Sequence, residues 1–75
     1  MNQSIVETAA RVMKISPEEA EKHWKEVPEI KGFYFWNPVR GGIAVLIRAD
    51  GEKLAATSSV SFNRHLQAFL EGRRN

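Results

Sequence analysis

The chain has 75 residues, a formal net charge of +2 and no cysteine. That length makes one domain near the lower size at which a chain buries enough surface to fold unaided, and the lack of cysteine excludes disulfides, thiolate metal sites and thiol nucleophiles. No apolar run approaches the roughly 18 to 20 residues of a membrane span, and Met1 to Ala10 lacks the basic start and apolar run of a signal peptide, so a cytoplasmic, bacterial-type protein without membrane association is expected.

Ser4-Ile5-Val6-Glu7 reads as a capping box, in which the serine oxygen and the glutamate carboxylate satisfy free amide donors at a helix start. The first helix should run to Met13 or Lys14, with Ile5, Ala9, Val12 and Met13 as its buried stripe and Val6 and Ala10 beside it. Ser16-Pro17-Glu18-Glu19 repeats the start signal, because proline suits the first helical turn and the acids favour the positive end of the helix dipole. Ala20, Trp24 and Val27 then give a second apolar stripe, and Pro28 is expected to end that helix. The pair imitates a helix-turn-helix, yet the would-be reading helix carries Glu18, Glu19, Glu21 and Glu26 against only Lys22 and Lys25. Phosphates would repel it, so a helical hairpin packed on a sheet is the better reading.

Gly32 to Val60 holds most of the large apolar residues and the clearest turn signals. Phe33-Tyr34-Phe35-Trp36 is a strand signal, with Phe33 and Phe35 pointing one way and Tyr34 and Trp36 the other. Asn37 to Gly42 is a connection rich in turn formers; its Arg40 and Gly41-Gly42 match no phosphate-loop fingerprint and read as a bend or bulge. Ile43 to Arg48 is a second strand, turned back by Ala49-Asp50-Gly51-Glu52. A two-residue turn at Asp50-Gly51 would set Ile47 opposite Leu54, Val45 opposite Ala56, Ile43 opposite Ser58, Leu46 opposite Ala55 and Arg48 opposite Lys53. The last helix should start near Ser59 or Ser61 and run to Glu71, with Phe62, Leu66, Phe69 and Leu70 as its stripe, Gly72 ending it and Arg73-Arg74-Asn75 as a frayed basic tail.

The expected architecture is therefore α+β in the order ααβββα: a helical hairpin over residues 1–30, a three-stranded antiparallel meander over 31–60, and a closing helix with a basic tail over 61–75. The helices are expected on one sheet face. The other, with Tyr34, Trp36 and Leu46, carries more apolar surface than a wet face should, which calls for cover by one helix or by a partner.

Catalysis finds little support in these residues. Ser58, Ser59 and Ser61 lie near His65 in sequence but sit where helix caps belong, and no nucleophile elbow surrounds them. Only His23 and His65 could join carboxylates around zinc, and no pair of acids stands out for glycoside chemistry. No enzyme and no cofactor are expected. Charge is uneven: through Ile30 six acids face four bases, whereas from Lys31 onward seven bases face three acids. That asymmetry can steer an acidic partner toward the sheet half.

An aromatic strand, Pro38, Arg40, Gly41 and Gly42 in the first connection, a hairpin closed at Asp50-Gly51, the Ser58-Ser59 segment and His65-x-x-x-Phe69 on the closing helix together resemble small bacterial proteins of the Immunity protein 35 type. The resemblance covers Gly32 to Arg74. It implies a helix with an antiparallel sheet and a role in binding and neutralising a toxin. The function expected is thus a small non-catalytic protein-binding module, immunity-type or regulatory, acting on another protein or on itself as a homodimer. Candidate contact residues are Tyr34, Trp36, Arg40, Leu46, Arg48 and Lys53. The alternative is a nucleic-acid binder using Arg40, Arg48, Lys53, Arg64 and the Arg73-Arg74 tail, with Tyr34 or Trp36 stacking on bases.

Overall fold

The computed structural model describes residues 2–39, 41–57 and 59–74. Its elements are α1 (Gln3–Met13), α2 (Pro17–Ala20), β1 (Trp24–Val27), a 3-10 turn (Pro28–Ile30), β2 (Gly32–Trp36), β3 (Ile43–Arg48), β4 (Lys53–Thr57) and α3 (Phe62–Leu70). The strands form one antiparallel sheet in the order β1-β2-β3-β4. The α+β class holds, with four strands where three were expected. No helix among the described residues is long and apolar enough to cross a membrane.

Asn2, not Ser4, caps α1: its side-chain oxygen accepts from the Ser4 amide at 2.8 Å. Ile5, Val6, Ala9, Ala10 and Met13 are buried on one face, as helical spacing requires. Lys14 closes the helix in the left-handed region at φ 61°, and Ile15 N–H reaches back to the Ala10 carbonyl at 3.0 Å.

The second expected helix is cut short. Ser16 caps α2 through the Glu19 amide, but the helix stops at Ala20, and Trp24 to Val27 becomes an edge strand beside β2. Ala20, Trp24 and Val27 fit a helical stripe on spacing alone, yet tryptophan and valine also favour strands. Here the aromatic strand decides. Trp24 packs on Phe33 and Phe35 at ring-centroid distances of 5.6 and 6.4 Å, and His23 carbonyl accepts from Trp36 N–H at 3.1 Å. Pro28 accordingly opens the 3-10 turn instead of closing a helix.

The β3–β4 connection also departs from expectation. Arg48 N–H bonds the Glu52 carbonyl at 2.8 Å, Gly51 N–H bonds the Arg48 carbonyl at 2.9 Å, and Gly51 sits at φ 97°. Three residues, Ala49 to Gly51, therefore form the loop, a tight turn followed by a left-handed glycine. One extra loop residue shifts the register by one and turns every β4 side chain to the other face. Leu54 stands opposite Leu46, Ala55 opposite Val45, Thr57 opposite Ile43 and Lys53 opposite Ile47. The Arg48/Lys53 like-charge pair is not made. Arg48 faces Glu52, and its guanidinium lies 2.7 Å from the Asp50 carboxylate. Ser58 lies outside the described residues.

Helices cover both sheet faces, not one. Phe35, Val45 and Ile47 pack with Ile5, Val6, Ala9, Ala10, Met13 and Ala20 under α1 and α2. Val27, Ile30 and Leu46 pack with Phe69 under α3, flanked by Tyr34, Leu54, Phe62 and Leu66. Ser61 caps α3 through the Arg64 amide, and Gly72 follows its end at φ 99°. Arg74 is not frayed: it donates to the Phe69 carbonyl at 2.7 Å, with its guanidinium 3.7 Å from the Phe69 ring centroid.

At Gly32 β3 approaches too closely to leave room for a side chain. A Cβ there would run into the Ile47 carbonyl oxygen and stand 2.7 Å from the Arg48 Cα, both main-chain atoms that cannot swing aside. Gly32→Ala is expected to cost about 2 to 3 kcal/mol through this clash, read as a lower urea midpoint with an unchanged slope. A loss under about 0.5 kcal/mol, the range of an ordinary surface substitution, contradicts the packing described.

Candidate functional site

Helix α3 does not reach the end of the sheet where β2 leaves and β3 begins. Tyr34, Trp36, Asn37, Pro38, Val39, Ile43 and Ala44 line a groove of about 470 Å³ there, within the size range of ligand sites. Tyr34 and Trp36, two residues apart on β2, share a face, and their rings stack at 5.8 Å and 28°. Phe62 of α3 meets Tyr34 edge-on at 4.8 Å, and His23 lies 6.1 Å from Trp36, so four rings run across this corner. Burial raises the Tyr34 hydroxyl above its ordinary range, so it stays protonated at neutral pH.

The far wall of the groove is a closed loop. Asn37 N–H bonds the Ile43 carbonyl at 3.1 Å and Gly42 N–H bonds the Val39 carbonyl at 3.0 Å. Those two bonds hold Pro38 and Val39 out from the sheet, and Val39 is 57% exposed, the most open of the large apolar residues described.

The six candidate residues separate. Tyr34 and Trp36 stay together in the groove. Leu46 points to the same face but is fully buried beneath α3, so it is core and not contact surface. Arg48 lies at the opposite end of the sheet, in a second cavity of about 430 Å³ with Lys31, Asp50, Phe69 and Arg74 among its lining. Its hydrogen bond to Asp50 raises the guanidinium and holds the Asp50 carboxyl below its usual range. Lys53, through the shifted register, shares the α1 face with Ile47. Arg40 lies outside the described residues. Asn37, Pro38, Val39, Ile43 and Ala44 join the site unforeseen. Asn37-Pro38 next to an aromatic strand is the available signal, and by itself it specifies only a turn.

A third cavity, about 370 Å³, lies between β4 and α3 with Arg64, His65 and Arg73 among its lining. His65 is 1% exposed. Its Nε2 lies 2.7 Å from the Leu54 carbonyl, which can only accept, so the proton is on Nε2 and Nδ1 is left buried without a partner. Among the described residues no group of three or more His, Asp or Glu is placed to hold a metal ion.

Burial pushes the His65 imidazolium below the ordinary 6.5, with the Leu54 bond opposing more weakly. The unfolded chain therefore takes up a proton first as pH falls. Stability from this site is complete above about pH 6.5 and declines as pH drops through that value toward the folded pKa. The urea midpoint is expected to fall between pH 7.5 and 5.5, and His65→Gln, which keeps an N–H donor, should flatten that fall. An identical pH profile in the two proteins contradicts the assignment. No protein-family model, curated protein or solved structure matches this chain, and the reading of the groove rests on its geometry.

Proposed function

We propose that this chain is a small non-catalytic protein-binding module, immunity-type or regulatory, that engages another protein or a second copy of itself through the Tyr34/Trp36 groove. One observation carries the reading. A groove with an aromatic wall and an exposed Pro38-Val39 wall stays open beside helices that pack on both faces of the sheet. Such uncovered apolar surface is the mark of an interaction site.

The basic residues support this reading over nucleic-acid binding. Arg48 is engaged by Asp50, Arg74 packs on Phe69 within 3.4 Å of the Glu52 carboxylate, and Arg64 and Arg73 line the cavity beside His65. None of these lines the groove with the half-buried Tyr34 and Trp36 rings. A phosphate backbone calls for a shared basic track alongside its stacking rings.

Photo-crosslinking from position 39 in an extract of the producing cells tests the proposal. A covalent adduct with a protein, either another chain or a second copy, is expected, and Trp36→Asp should abolish it while far-UV circular dichroism stays unchanged. Adducts only with nucleic acid contradict the proposal, as does steeply salt-dependent oligonucleotide binding that survives Trp36→Asp.

A further inference from the structure

Building on that protein-binding reading, we infer that the occupant of the Tyr34/Trp36 groove is an uncharged, proline-rich segment in the extended polyproline II conformation. Three polar groups set in the apolar lining carry the inference. Tyr34, Trp36 and Asn37 each line the groove, and the Tyr34 hydroxyl, the Trp36 indole N–H and the Asn37 side-chain amide make no hydrogen bond within the described residues. None is among the buried polar atoms left without a partner, so each remains reachable from solvent. All three can donate.

A surface offering donors and apolar walls suits a ligand with spare carbonyls and few N–H groups. A helical ligand bonds its own carbonyls and would leave the three donors unmet. A β-strand ligand needs an open strand edge, whereas β2 and β3 are both interior strands. Polyproline II has no internal hydrogen bonds, and proline has no N–H, so its carbonyls face outward for such donors.

Charge and shape point the same way. The lining contains no acid, lysine, arginine or histidine among the described residues, and the Lys25 ammonium beside Tyr34 is held over the Phe62 ring at 3.8 Å, so a charged ligand group would be desolvated there without a counter-charge in the lining itself. The complement of an uncharged groove is an uncharged segment. Tyr34 and Trp36 are stacked too closely to admit a ring between them, and they serve as one flat wall. The occupant lies between that wall and Pro38-Val39, whose loop is braced by two internal hydrogen bonds.

Titration of the isotopically labelled chain by NMR tests this with an oligoproline peptide of roughly nine residues, three turns at three residues per turn. A glycine-serine peptide of the same length and an oligothymidine serve as comparisons. Oligoproline is expected to shift the Trp36 indole N–H and the Asn37 side-chain amide saturably, and glycine-serine is not. Trp36→Phe, which keeps a ring but deletes the donor, should weaken binding roughly tenfold, the scale of one hydrogen bond with its desolvation. Absent or unsaturable shifts with oligoproline overturn the inference, as do equal affinity for glycine-serine or shifts with oligothymidine alone. If a Trp36-dependent protein adduct forms from position 39 while oligoproline fails to bind, the protein-binding reading stands and the polyproline assignment falls.

Discussion

Phe33-Tyr34-Phe35-Trp36 on β2 puts two rings on each face of the sheet, and in a chain this short that demands apolar cover on both sides. The chain meets the demand with α1 and α2 on the Phe35 face and α3 on the Leu46 face. Each layer is thin, because the covering helices are no more than eleven and nine residues long. The contacts of α3 with the sheet run from Tyr34, met by Phe62, to Leu46, met by Phe69, and the groove opens beside Trp36 at the end of the sheet.

A single residue in the β3–β4 loop decides which side chains α3 meets. With Gly51 as third loop residue, Leu54 joins Leu46 beneath α3, and its carbonyl takes the His65 N–H. A two-residue turn would have put Ala55 there and left His65 above a different strand face. The loop also gives Arg48 an acid on either side, Asp50 through its side chain and Glu52 across the hairpin. These are exposed pairs that shape the turn more than they stabilise it.

The sequence was most legible where period and cap agree. The stripe from Ile5 to Met13, the alternation of the four aromatics, and the Ser61 and Gly72 ends of α3 could all be read from residue order, because each rests on local geometry. Trp24 to Val27 could not. Four residues with apolar ends fit a helix or a strand equally, and only the distant β2 edge resolves the choice. Asp50-Gly51 likewise fits loops of two or three residues, and the flanking hydrogen bonds of Arg48 select the longer one. Of the site, Tyr34 and Trp36 were identified from strand alternation alone. Leu46, Arg48 and Lys53 were grouped with them because one-sided helical cover and the shorter turn placed all five on an open face. Pro38 and Val39 were missed because a turn signal does not show which way a loop leans.

The central claim is that α3 closes the second sheet face over Leu46 and Leu54 but leaves the Trp36 end open. Line broadening by a soluble paramagnetic agent measures this directly on the free chain. The account predicts strong broadening of the Trp36 indole N–H, the Asn37 side-chain amide and the Val39 methyls, with Leu46 methyls and His65 unaffected. Protection of Trp36 equal to that of Leu46, or broadening along the whole Tyr34–Leu46 face, would contradict it.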